Sequence, residues 1–399
     1  MTAEGRDKSP PASGAAAGRS SPLILGISSS HNGSACLMRG DEILVAIQEE
    51  RLSRVKRDRI HGGRSFLSWR YCLDAAGVDL GDVDLVVCCA QDFSEHPSED
   101  ISLNRELHLR RRKVPWITVS HHLAHAVAAY TTSGFEGAAV LVIDGLGSPY
   151  ADLSEAERSA IIVDEGDNSW ESISLFEVDQ RGARALEKQV TAYSDPQRGA
   201  RGRLALPDWD LPYSGTLGRL YGGAANQIFG DPTTAGKVMG LAAYGRPEIP
   251  TEDFYEVRDG AFKFLDRVPN SFATRKRWPQ LRERYEVLAA SVQAAVEEAI
   301  LMLVRRLQEL TPYRDFCYAG GVALNSVANE RIIRECGFDN VYIMPAAEDS
   351  GVSIGAAYYG LMHLTGSVPR RRLDVDAVGR TYSPAMIQEA IGRAPCIVA

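Results

Sequence analysis

Two histidines four residues apart, His121 and His125 in the run Ser120 to His125, open an apolar stretch that reaches about Tyr130. On a helix this spacing projects both imidazoles from one face, where they can share a metal ion. The residues between them lack the glutamate of a zinc-protease helix, so the pair reads equally as a metal site or as a histidine-rich helix start. Oxygen ligands would come from Asp144, which ends an apolar strand, and from Asp349, which precedes a small-residue helix. By position alone, the local role of Asp349 is to cap that helix. Two imidazoles with one or two carboxylates suit iron, manganese or zinc and leave coordination positions open for a substrate.

Three glycine clusters sit where backbone amides meet phosphates: Asp144, Gly145 and Gly147 after a strand; Gly236, Lys237 and Gly240; and Gly320, Gly321 and Asn325 between a strand and a helix. None is a P-loop or a dinucleotide fingerprint, and each reads also as a tight turn. Together, at strand ends of an α/β chain, they favour a nucleotide in a central cleft. His31 lies in an inter-strand turn and is a candidate general base for a hydroxyl group. In the basic run from Glu49 to Lys56, either Lys56 or Arg51 would hold a phosphate or carbonyl oxygen, unless the run is simply a charged strand end.

The elements that must position these groups follow from apolar runs. Leu23–Ile27, Ser34–Met38 and Ile43–Ile47 form a meander, followed by a helical pattern over Phe66–Ala76 and a strand at Leu85–Cys89. A short strand at Trp116–Val119 leads into the histidine helix. The order then repeats: strands at Ala138–Ile143, Ala160–Val163 and Ser172–Val178, then helices and a strand at Phe316–Ala319. A further strand, Val341–Met344, precedes Asp349. This predicts an internally duplicated α/β fold whose cleft between halves is the default ligand site, with His31 and Asp144 at equivalent places. Asp164–Pro212 reads as a polar surface excursion, and Leu281–Leu310 as one long amphipathic helix.

At 399 residues, with 45% hydrophobic and 24% charged residues, the chain has the composition of a folded globular protein. A net charge of -8, with dense basic stretches only at Arg51–Arg59 and Arg110–Lys113, argues against unspecific nucleic-acid binding. Seven scattered cysteines make no disulfide framework and point to a reducing cytoplasm. Met1–Ser21 reads as a flexible leader with no secretory apolar region, and no later run reads as a membrane span.

The ordered series LGISSSHNGSACL, EERLSRVK, SHHLAHA, VIDGLG, GTLGRLY, GKVMGLAAYG, ASVQ, GGVALNSVAN and EDSGVSIGAA resembles the NodU/CmcH family of O-carbamoyltransferases, over about Leu23 to Gly379. That family includes an enzyme that carbamoylates tobramycin. The resemblance implies an actin/hexokinase-like fold, similar to the tRNA threonylcarbamoyl-transferase subunit. It also implies an iron ion, Fe(2+), on His121, His125, Asp144 and Asp349, and a nucleotide on the glycine clusters. His31 falls where the family's base deprotonates the acceptor hydroxyl, and Lys56 falls beside the activated carbamoyl group.

In such enzymes carbamoyl phosphate and ATP give carbamoyl adenylate in a C-terminal YrdC-like domain, and the main domain passes the carbamoyl group to an alcohol. The expected division is a leader at 1–21, a main domain at 22–366 with lobes at 22–135 and 136–366, and at 367–399 a linker with a truncated start of the YrdC-like domain. The activated donor would then come from a separate YrdC-like protein or domain, and the acceptor would be a small secondary-metabolite alcohol. Asn32 and Gly33 depart from the family's Asp and Ala after the first histidine, and Ala235 stands in place of a Glu. The rival readings are a kinase or ATPase of the same fold, which would need no imidazole-bound transition metal, and a non-catalytic nucleotide-binding remnant.

Overall fold

The computed structural model describes residues 21–58, 66–89, 113–163, 166–192, 215–265, 268 and 276–394. The leader up to residue 20, Arg110 to Arg112, and the ends of the expected excursion at 164–165 and 193–212 lie outside them.

Two five-stranded sheets carry the fold. The first contains β1 (Leu23–Ser28), β2 (Ser34–Arg39), β3 (Glu42–Gln48), β4 (Leu85–Cys89) and β5 (Trp116–Thr118), in the order β3-β2-β1-β4-β5. The second contains β6 (Gly137–Ile143), β7 (Ser169–Asp179), β8 (Gly182–Ala192), β11 (Asp315–Ala319) and β12 (Asn340–Ile343), in the order β12-β11-β6-β7-β8. Strands β9 (Tyr255–Arg258) and β10 (Ala261–Phe264) form a separate hairpin. In each sheet the first three strands are antiparallel neighbours and the last two add in parallel beside the first. Thus β6, β7, β8, β11 and β12 repeat β1 to β5, which is the duplicated actin/hexokinase-like architecture. The central strands β1, β4 and β6 are buried throughout, as their unbroken apolar runs require.

Two expectations fail in the second sheet. Ala160–Val163 is not a strand: after the short helix Glu155–Ser159, only Ile161 makes a single bridge, to Lys188. The polar excursion holds a long hairpin instead, because β7 extends to Ser169 and β8 runs beside it. The sequence does not mark β8 because it is an edge strand whose exposed and half-buried positions carry Arg184 and Glu187, and because irregular pairing breaks its alternation.

Helix His121–Ser133 packs on β6, β7 and β11, and helix Val352–Thr365 packs on β1, β2 and β4. The two helices pack on each other between the sheets. The helix of 352–365, which the sequence division placed with the second lobe, therefore covers the first sheet. Beyond it the chain returns along the C-terminal end of the histidine helix, where Arg371 and Leu373 donate to Thr131 and Thr132, and reaches the β3 edge, where the Ala46 amide donates to the Val378 carbonyl at 2.8 Å. Helix Arg282–Leu310 is long and apolar enough to cross a membrane by composition, but most of it is buried in the core of the second lobe.

Glycine permits the close helix crossing. A Cβ on Gly355 would lie 1.9 Å from the Ala124 carbonyl oxygen, and one on Gly26 of β1 would lie 2.1 Å from that of Ser353. Ala124 stands next to His125, so this contact fixes the histidine helix against the first lobe. A Gly355→Val variant is expected to lose at least about 1–3 kcal/mol of stability through overpacking. A denaturant midpoint equal to that of the parent would contradict the crossing.

Candidate functional site

The histidine helix is almost wholly buried, so its first amides need partners from the protein rather than from water. The Ser120 side chain does not cap it. The His121 amide instead donates to Ser148 Oγ at 2.8 Å, and the His122 amide to Glu171 Oε2 at 3.2 Å. One helical turn then brings His121 Nε2 and His125 Nε2 to 3.2 Å from each other. His121 Nδ1 faces Cys89 Sγ at 3.7 Å, a contact that turns Nε2 toward the site.

Asp144 follows β6. Its Oδ1 accepts from the Gly145 amide at 2.6 Å and the Gly321 amide at 3.3 Å, leaving Oδ2 to face His121 Nε2 at 3.1 Å and His125 Nε2 at 3.5 Å. Asp349 comes from the segment between β12 and the helix of 352–365, its Oδ1 lying 3.3 Å from His121 Nε2 and 3.7 Å from His125 Nε2. Asp349 does not cap the helix of 352–365, which has Gly351 at its N-cap and no side-chain cap; Glu348 caps the single turn Asp349–Gly351 before it, accepting from the Ser350 amide at 2.9 Å. Asp349 is thereby left for the cluster.

The four ligand atoms of His121, His125, Asp144 and Asp349 lie within 4.8 Å of one another, and all four residues are buried. Donor bonds of about 2.0–2.2 Å in a tetrahedral array put donor atoms roughly 3.3–3.6 Å apart, close to the separations here. Asp349 is 1% exposed, and the groups facing its two carboxylate oxygens are imidazole nitrogens, His31 Nδ1 at Oδ2 and the His121 and His125 Nε2 atoms at Oδ1. Two imidazole nitrogens facing each other beside two buried carboxylates are a donor set in want of a cation, and the residues fit a metal.

Electrostatics agree with that fit. Burial works against charge on every member, yet His121 is raised well above the ordinary imidazole value by the Asp349 charge and the bonds to both carboxylates. His125 is raised in the same way. Burial pushes Asp349 up, but the His31 and His121 charges and the histidine hydrogen bonds hold it well below the usual range. Asp144 ends below its ordinary value too, since the histidines outweigh burial and the charge on Asp349. Opposite charges thus favour one another across the cluster, the balance that a bound cation facing two carboxylates would also supply.

A cavity of about 500 Å³ opens beside the cluster, its wall including Asp144 and Asp349. His31, Asn32, Lys56 and Arg57 line it from the first lobe, and Gly145, Tyr221, Gly236, Lys237, Gly321 and Asn325 are among its lining in the second. His31 Nδ1 lies 3.1 Å from Asp349 Oδ2, and Asn32 Nδ2 donates to Glu348 Oε2 at 2.5 Å, so the turn after β1 clasps the loop before the helix of 352–365. Burial lowers the His31 value, but the Asp349 carboxylate raises it more, and it ends above the ordinary histidine value.

Gly147, Gly240 and Gly320 are not part of this wall. A Cβ on Gly147 would meet His122 Cδ2 at 2.6 Å and Glu171 Cβ at 2.7 Å, and one on Gly320, at φ 95°, would meet the Ile143 carbonyl oxygen at 2.2 Å. Both glycines permit close backbone approach. Arg51 does not line this cavity; it lines a second one with Gln48 and Val378 and donates to Gln48 Oε1. Arg57, unnoticed in the basic run, takes its place: it holds φ 55°, its amide donates to Glu50 Oε2 at 2.8 Å, and its charge bears on both His31 and Asp231. Tyr221 and Glu348 stand at the ends of the segments GTLGRLY and EDSGVSIGAA, where nothing in the sequence assigns either a role.

Residues 100–358 match the family described as Carbamoyltransferase N-terminus. The chain is 29% identical over 372 residues to nodulation protein NolNO of Sinorhizobium fredii, covering 86% of this chain and 48% of that protein. It is 28% identical over 264 residues to nodulation protein NolO of Bradyrhizobium diazoefficiens, covering 64% and 40%. It thus spans about half the length of the curated relatives it matches. Among solved structures, full-length HypF in its phosphate- and nucleotide-bound form has a TM-score of 0.52 at 15% identity, covering 88% of this chain and 57% of that one, a likeness of fold. Since the family match takes in well over half of the sequence, the chain belongs to the carbamoyltransferase N-terminal family.

Proposed function

We propose that this chain carries the transfer step of an O-carbamoyltransferase that acts on a hydroxyl of a small secondary-metabolite alcohol. The observation that carries the reading is one cavity uniting a base, His31, with a cluster of two histidines and two aspartates and with the cationic side chains Lys56, Arg57 and Lys237. Membership of the carbamoyltransferase family supports the chemistry. The donor in this reading is carbamoyl adenylate, made from carbamoyl phosphate and ATP by a YrdC-like domain or protein, and the setting is the cytoplasm.

The step forms a bond between the acceptor oxygen and the carbamoyl carbon and breaks the bond from that carbon to the adenylate phosphate. A carbamate ester and AMP leave, and the acceptor's proton passes to His31. Asp349 engages His31 Nδ1, so Nε2 is the nitrogen left for the hydroxyl, and the same carboxylate favours the imidazolium that results. Lys56 and Arg57 face the anionic leaving group, where an arginine fork pairs with two phosphate oxygens. The amides around Gly145, Gly236 and Gly321 offer donors to the nucleotide. A metal ion, with iron the expected one, would be held by His121, His125, Asp144 and Asp349 and would supply Lewis-acid polarisation of a donor oxygen.

His121→Ala is expected to abolish stoichiometric metal binding, measured by elemental analysis of anaerobically purified protein, while the circular dichroism spectrum is retained. Metal content equal to the parent's would remove His121 from the ligand set. With carbamoyl adenylate supplied, His31→Ala should slow transfer about 10²–10⁴-fold at unchanged metal content. Arg57→Gln should instead raise the donor KM about tenfold or more, the loss of a charge-assisted hydrogen bond. Mass-spectrometric product counts check both, and a His31→Ala protein as fast as the parent would contradict the base assignment.

A further inference from the structure

A second buried charged group packs against the start of the histidine helix. Lys188 of β8 is fully buried, in contact with Glu171 Oε1 of β7 and 3.2 Å from Glu157 Oε1. Glu171 is likewise fully buried, and Glu157 accepts from Ser120 Oγ at 2.5 Å. Burying an ion pair costs more than most folds recover unless the remaining lone pairs are bonded. Here they are bonded to the two segments that deliver the candidate metal ligands.

Glu171 Oε2 accepts from the His122 amide at 3.2 Å and from the Ser148 amide at 2.9 Å. The first amide belongs to the opening turn of the histidine helix, the second to the loop that follows Asp144. Ser148 closes the link by accepting the His121 amide on its hydroxyl at 2.8 Å. The backbone of Glu171 joins the same loop, accepting from the Gly147 amide at 2.8 Å and donating to the Ser148 carbonyl at 2.9 Å.

An irregularity in pairing makes this arrangement reachable. Glu171 pairs with Val190 but Ile173 with Gln189, so Ser172 is an extra residue in β7. Strict alternation would put Glu171 on the face of Ile173 and Leu175, which belongs to the core of the second lobe. The bulge moves it to the face of Ser174 and Phe176, where Ser174 Oγ meets His122 Nδ1 at 2.8 Å and Lys188 lies 5.0 Å from the Phe176 ring centroid. Gly147 leaves the room that the carboxylate fills.

We infer that Glu171, neutralised by Lys188, is a positioning residue of the metal centre, binding the histidine helix and the loop after β6 through one oxygen and so setting His121 against Asp144. This rests on the reading of the histidine and aspartate cluster as a cation site. The proposal concerns the acceptor oxygen and not the charge, which gives a test with two uncharged, nearly isosteric variants. Lys188→Met with Glu171→Gln keeps an amide oxygen for the two N–H groups, whereas Lys188→Met with Glu171→Leu removes it.

Co2+ titrated into the metal-free full chain, followed by its visible absorption bands, reads both affinity and ligand geometry. The Gln variant should bind within about threefold of the parent with the parent's spectrum. The Leu variant should lose about 10–100-fold, the range typical of lost outer-sphere partners, with altered bands. Equal affinity and spectra in the two variants would overturn the proposal. Failure of both to fold would overturn it as well, because the pair would then hold the lobe together and not place the ligands. If the parent itself binds no Co2+, the cation-site reading fails first.

Discussion

Two buried carboxylates, Asp144 and Asp349, face one place in the protein interior. Side by side without a positive partner they could not both stay ionised. The partner is supplied by a helix that runs between the two sheets with two imidazoles on one face. Glycine contacts at Gly26 and Gly355 let that helix and its neighbour pack closely enough, and backbone amides of Gly145 and Gly321 fix the Asp144 oxygen that does not face the histidines.

The duplication explains why the cluster sits beside a cavity holding a base. Each sheet ends its first strand at the cleft: the turn after β1 carries His31, and the residue directly after β6 is Asp144. Asp349 then contacts both His31, at 3.1 Å, and the histidine pair, within 3.7 Å. One carboxylate is thus shared between a candidate metal centre and a candidate general base. Anything that shifts the loop at 345–351 acts on both, and the Asn32 to Glu348 bond ties that loop to the first lobe.

Much of this was legible locally. Unbroken apolar runs marked the buried strands, and the four-residue spacing marked the histidine pair, because both periods are written along contiguous residues. The role of Asp349 was not legible: local logic made it a helix cap, and only tertiary structure brings it against His31, His121 and His125. Glycine patterns were ambiguous in a physical sense, since Gly145 and Gly321 line the cavity whereas the missing Cβ serves packing at Gly147 and Gly320. Lys188 and Glu171 were hidden altogether. They lie in a stretch of surface-like composition, and a single extra residue at Ser172 decides which face the glutamate occupies.

The central claim is that His121, His125, Asp144 and Asp349 together hold one metal ion. Anomalous diffraction at the iron edge, from crystals of anaerobically purified and iron-loaded protein, tests it most directly. The account predicts one strong peak within bonding distance of both Nε2 atoms and of an oxygen from each aspartate. Density there without an anomalous signal, or iron bound at another place with the four side chains still bonded only to one another, would contradict it.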